Sequence, residues 1–125
     1  MINIEDSNNF MGFFNEDGGK LLNALKGIQK NIFNVIMISD LADIMHLSES
    51  YFAKLFKEKT GISPHEYILR NKIEISKDLI LKNDYSVTYI AHMFGFSSSQ
   101  YFSTVFKRFT GISPNIFRNE RIIQP

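Results

Sequence analysis

The 125-residue chain contains no cysteine, no tryptophan and only three prolines. Without cysteine it can form no disulfide, perform no thiolate chemistry and build no Cys-type zinc site. Long apolar runs are missing too. The longest, around Ile32 to Ile38, falls far short of the roughly 20 residues that a membrane span needs, so no membrane partner is expected. The first seventeen residues hold no Lys or Arg and four acids, Glu5, Asp6, Glu16 and Asp17, which is not the charge pattern of a secretory leader. The expected compartment is therefore cytoplasmic. At 125 residues and 44% hydrophobic content, the chain can form one compact domain or two small lobes sharing a core.

A strong excess of one charge is absent only on average. The net charge is +1, yet residues 1 to 47 carry three basic groups against six acids, and residues 48 to 125 carry eleven against seven. This basic excess in the later part is weak support for a polyanionic partner.

What the chain does contain is a repeat. Tyr51 to Pro64 (YFAKLFKEKTGISP) returns fifty positions later as Tyr101 to Pro114 (YFSTVFKRFTGISP), with nine of fourteen positions identical. Such fidelity means one supersecondary unit built twice.

Helical periodicity and punctuation surround both copies. Leu21, Leu22, Leu25 and Ile28 share helical spacing, as do Leu41, Ile44 and Met45 after Ser39, a natural N-cap. Ser48 caps a helix to about Lys59 that Thr60-Gly61 ends; Ser63-Pro64 starts the next, running to about Lys82 with Tyr67, Ile68, Ile75, Leu79 and Ile80 as its main apolar positions. Asn83-Asp84 closes it, Ser86 caps a short helix, Gly95-Phe96-Ser97 turns, and Ser98 to Phe109 forms the second copy. Gly111 stops that helix, and a last turn begins at Ser113-Pro114. No segment reads as a strand, so the fold class is all-α. The implied organisation is a linker or trimmed tail at 1–19, a first subdomain at 20–63, a linking helix at 64–83 and a second subdomain at 84–125.

Each copy is a short helix, a tight turn and a longer helix: the layout of a helix-turn-helix, whose second helix can lie in a DNA major groove. At 100° per residue, Phe52, Leu55 and Phe56 share one face, as do Phe102, Val105 and Phe106. That face is core. Opposite it lie Ser50, Lys54 and Lys57, matched by Gln100, Thr104 and Lys107, with Ala53 or Ser103 on the flank. The inner face is kept while the outer face differs, as suits a reader of two different short sequences. Candidate base contacts are Ser50, Ala53, Lys54, Ser99, Gln100, Ser103 and Thr104; candidate phosphate contacts are Ser48, Lys57, Ser98, Lys107 and Arg108. The linking helix of nineteen residues is roughly 28 Å long, near the ~34 Å that separates successive major grooves on one side of B-DNA. The expected site is therefore asymmetric, bound without a dimer.

The Ser48 to Pro64 stretch, Ile90-Ala91-His92-Met93-Phe94-Gly95-Phe96, and Tyr101 to Pro114 followed by Phe117-Arg118 closely resemble the DNA-binding domain of AraC/XylS-type bacterial transcription regulators. The resemblance covers about residues 20 to 121. It implies a homeodomain-like domain of about seven helices forming two helix-turn-helix subdomains, usually behind an N-terminal effector-sensing or dimerising domain, which is expected to be absent from this chain. It also implies a double-stranded DNA partner, with RNA polymerase as a further candidate partner. Many members carry Arg where Lys72 stands and Ala where Ser76 stands, departures compatible with folding. Some place a base-reading Arg at the position of Thr104, so strong guanine recognition by the second copy is not implied.

Competing readings are simpler to discount. Phe52, Phe56, Phe102 and Phe106 at i, i+4 spacing are core rather than base-stacking groups, and Met37, Met45 and Met93 read as core filler. His46, His65 and His92 lack partners at metal-ligand spacing, so neither metal nor cofactor is expected. No nucleophile-base pair can be assembled, so an enzyme is not expected. The alternative is a helical protein-interaction domain that has lost DNA binding.

Overall fold

The computed structural model describes residues 16–123. The tail expected at 1–19 thus lies outside the described residues up to position 15. Seven helices follow: α1 (Glu16–Lys30), α2 (Ile38–Ile44), α3 (Glu49–Thr60), α4 (Pro64–Lys82), α5 (Val87–Met93), α6 (Ser99–Thr110) and α7 (Pro114–Ile123). No strand occurs among the described residues. Two compact units result, one from residues up to Ile32 together with Ile36–Ile68, the other from Phe33–Val35 together with Leu69 onward.

Capping sets most helix boundaries. Ser48, Ser86 and Ser98 each accept a hydrogen bond from the backbone N–H three residues on, of Tyr51, Tyr89 and Tyr101. Ser63 and Ser113 do the same for Glu66 and Ile116. At the other ends Gly61 and Gly111 take left-handed conformations, φ 88° and 91°, and return their N–H groups to Lys57 and Lys107. Thr60 and Thr110 lock the following loops: each hydroxyl bridges the carbonyl four residues back and the one two residues on.

Five expectations need correction. Ser39 is not a cap, because α2 begins before it; Met37 occupies the N-cap with extended backbone and no side-chain bond. The first helix starts at Glu16, before Lys20, and α7 runs ten residues rather than a single turn. Ile75 is exposed, the buried apolar positions beside it being Leu69, Ile73 and Ile80, and Met37 is exposed instead of filling core.

The first unit closes over Leu21, Leu25, Ile28, Leu41, Met45, Phe52, Phe56 and Tyr67. Phe56 lies between Phe52, at 5.7 Å, and Tyr67, edge-on at 5.4 Å between centroids. The second unit repeats the design with Ile73, Ile80, Ile90, Phe94, Phe102, Phe106 and Phe117. Phe106 packs against Phe102 at 5.8 Å and edge-on against Phe117 at 5.4 Å.

Polar groups complete the second unit. Lys72 is buried, and its ammonium donates to the carbonyls of Asn34, at 2.6 Å, and Phe94, the C-cap of α5. Burial pushes its pKa down to about 8. Ser76, fully buried, satisfies its hydroxyl on the Ile73 carbonyl at 2.7 Å. Arg118 donates Nε to the Ile80 carbonyl at 2.8 Å and Nη2 to that of Tyr85 at 2.7 Å, supplying partners just where α4 ends. Gly95, at φ 76°, passes so close to residues 34–35 that a Cβ would stand 3.1 Å from Asn34 C and Val35 N.

Two outcomes follow from this geometry. Gly95→Ala should destabilise the fold by about 3 kcal/mol, and Gly111→Ala, left-handed but facing open space, by only about 1 kcal/mol; equal losses in urea denaturation would contradict the close approach. The Lys72 pKa, near 8 when folded and 10.5 in the open chain, means the unfolded state binds more protons between those values. Its contribution is therefore fully present above pH 10.5 and lost as pH falls through 8. The stability difference between wild type and Lys72→Met should shift in favour of the wild type as pH rises across that window, and a flat difference would contradict burial of the ammonium.

Candidate nucleic-acid interface

In each unit a short helix precedes a twelve-residue helix across a tight turn. Between α2 and α3 the chain reverses at His46, φ 56°, and between α5 and α6 at Gly95, φ 76°. The N–H groups of Leu47 and Phe96 return to the carbonyls of Ala42 and Ala91, closing equivalent turns. Each turn directs the longer helix so that its Phe pair is buried: Phe52 and Phe56 in α3, and Phe102 and Phe106 in α6, are all at 0% exposure. What remains outside is therefore fixed by what is inside.

On α3 the candidate positions Ser50, Lys54 and Lys57 are exposed, and Ala53 is half-buried on their flank. On α6, Gln100, Thr104, Lys107 and Arg108 are exposed, and Ser99 and Ser103 are half-buried. The i, i+3 and i, i+4 spacing brings Ser50, Ala53, Lys54 and Lys57 together as one strip, and Gln100, Ser103, Thr104 and Lys107 as another. The two strips belong to separate units.

Chemistry distinguishes the strips. The Thr104 hydroxyl donates to the Gln100 carbonyl within its own helix, at 3.0 Å, whereas the matching residue of α3 is the cation Lys54. The Arg108 guanidinium lies over the Phe109 ring, 4.7 Å from its centroid. Basic groups fill both last turns, Lys57 and Lys59 in α3 and Lys107 and Arg108 in α6, where they complement the helix dipole. The first turns differ: α3 opens with Glu49, and α6 has no acid there. Ser48 and Ser98 use a lone pair for capping, which leaves each hydroxyl proton for an outside acceptor. With Glu49 adjacent, Ser48 is the poorer anion contact of the two.

Tyr51 and Tyr101, identical in both copies, carry no role in the sequence reading. Both are exposed, in the first turn of α3 and α6. Their identity across the repeat was the available signal. Tyr85 and Tyr89, also exposed, stack at 5.0 Å on either side of the Ser86 cap. Among the described residues no helix is long and apolar enough to cross a membrane, and His46, His65 and His92 join no group of three or more metal-ligating side chains.

Comparison with known proteins bears on this arrangement. A family model described as a helix-turn-helix domain matches residues 41–120, from within α2 to within α7. The crystal structure of a transcriptional regulator from Chromobacterium violaceum, described as an AraC-type DNA-binding domain-containing protein, is 28% identical, covers 86% of this chain and 95% of its own, and superposes with a TM-score of 0.74. The chain belongs to the AraC/XylS family. Among AraC/XylS relatives, the probable transcriptional regulator LumQ of Photobacterium leiognathi is 34% identical over 71 residues, 57% of this chain and 29% of that protein. The chain thus spans less than a third of that relative's length. The DNA-binding domain of AdpA, solved in complex with a target DNA, shares the fold at a TM-score of 0.75 and 24% identity, covering 81% of this chain and 91% of its own.

Proposed function

We propose that this AraC/XylS chain binds duplex DNA sequence-specifically as part of a transcription regulator, with α3 and α6 as its two reading helices. One observation carries the reading: the two helices share their buried phenylalanine pair and their stops but differ at most exposed positions, the exposed residues kept being Tyr51 and Tyr101 and the cations Lys57 and Lys107. Selection for folding alone would give no reason for two basic, divergent outer strips. The AdpA domain, which has this fold, was solved with its target DNA, and that supports the same role here.

Base reading falls to Ser50, Ala53 and Lys54 on α3 and to Ser99, Gln100, Ser103 and Thr104 on α6. Lys54 can donate to guanine O6 and N7, Gln100 can pair with adenine N6 and N7, and Ala53 can pack on a thymine methyl. Lys57, Lys107 and Arg108 neutralise phosphates, and the Ser48 and Ser98 hydroxyls donate to them. The length of α4 supports entry into successive major grooves, and the unlike strips support an asymmetric site. An effector-sensing or dimerising segment outside this chain, and contact with RNA polymerase, belong to the same proposal; the greater length of LumQ supports the first.

Base and phosphate roles separate in a mobility-shift assay over a range of salt. Lys54→Ala should lose about 1 to 3 kcal/mol of discrimination at particular base pairs. Lys107→Ala should weaken binding to every duplex alike and lower the salt slope by about one. Salt-insensitive binding, or none, would contradict the proposal and favour a protein partner.

A further inference from the structure

On the DNA-binding reading, the hydrogen bonding of α6 narrows what its strip can recognise. The exposed Thr104 donates its hydroxyl proton to the Gln100 carbonyl at 3.0 Å. Staggering about Cα–Cβ then places the methyl in a different rotameric position from the oxygen that folds back on the helix. The side chain offers outward a methyl and oxygen lone pairs, but no proton. One turn earlier stands the exposed amide of Gln100, whose geometry fits the donor and acceptor pair of adenine. None of the base-reading candidates Ser99, Gln100, Ser103 and Thr104 carries a charge, and the cation of this strip, Lys107, stands in the last turn as a phosphate contact; α3 has Lys54 at the position matching Thr104.

We infer that α6 is an A·T-selective reader in which Thr104 recognises thymine through its methyl group and Gln100 recognises adenine, while guanine recognition is left to α3. Thr104 is then a specificity-determining residue that works by apolar contact with the thymine 5-methyl, not by a hydrogen bond from its hydroxyl.

The test begins with a duplex selected from a random library by the wild-type chain, its α6 half being the half whose preferences relax in Gln100→Ala. Each thymine there is replaced in turn by deoxyuridine, which removes only the 5-methyl. One position should cost the wild type about fourfold in affinity, the worth of one buried methyl. Thr104→Ser, which keeps the hydroxyl, should lose about fourfold on the thymine duplex and nothing further on the deoxyuridine duplex. Thr104→Val, which keeps the methyl, should retain the thymine preference. Loss of that preference in Thr104→Val together with its retention in Thr104→Ser would show reading through oxygen and overturn the inference. So would a wild type indifferent to deoxyuridine at every position, a result that needs no folded variant. A wild-type chain that selects no duplex at any salt would instead overturn the DNA-binding reading beneath it.

Discussion

Each candidate reading helix is held by one constraint: a phenylalanine pair one turn apart must stay dry. Phe52 and Phe56 in α3, and Phe102 and Phe106 in α6, are completely buried. Burying four such rings contributes on the order of 6 to 12 kcal/mol in total, a large share of what keeps domains of this size folded. Rotating either helix about its axis would expose a ring, so the outward direction of Lys54 or Gln100 is set by residues on the opposite side. The serine caps and left-handed glycines fix the helix ends, so position along the axis is set as well. A surface that must present a few side chains to a rigid partner needs this kind of support.

The second unit is tied by two long-range polar groups. Lys72 gathers the carbonyls of Asn34 and Phe94, and Arg118 those of Ile80 and Tyr85. Asn34, Phe94 and Tyr85 lie outside regular helix and Ile80 lies in the last turn of α4, positions where carbonyls lack the i+4 partner of a helix interior. A buried ammonium is costly by itself, and two carbonyls around it offset part of that cost. The close approach of Gly95 to residues 34–35 belongs to the same region. The turn leading into α6 is therefore held by backbone packing and by Lys72 together, whereas the first unit makes the equivalent turn with the left-handed His46.

Local signals were legible in the sequence, and long-range ones were not. Ser48, Ser63, Ser86, Ser98, Gly61 and Gly111 act within four residues of their own positions, and each behaves as its residue type suggests. The inner and outer faces of α3 and α6 were readable for the same reason, since periodicity and the repeat are local patterns. Ser39 misled because a cap-forming residue signals a start only where the backbone is extended, and here Met37 takes that conformation. No local pattern marks Lys72 as buried; its acceptors are 38 and 22 residues away, beyond any pattern of spacing. The Arg118 contacts, 38 and 33 residues distant, were hidden in the same way. Residue type and helix face point Thr104 to base reading, but the direction of its hydroxyl is a rotamer choice that composition does not encode.

On this account the duplication kept a scaffold and let two reading surfaces diverge. Selection of bound sequences from a random duplex library, with the stoichiometry of the bound species measured alongside, tests that claim most directly. The account predicts one chain on an asymmetric site whose two unlike halves are centred about 10 base pairs apart. A palindromic site bound by two chains, or enrichment of a single short half-site, would contradict it.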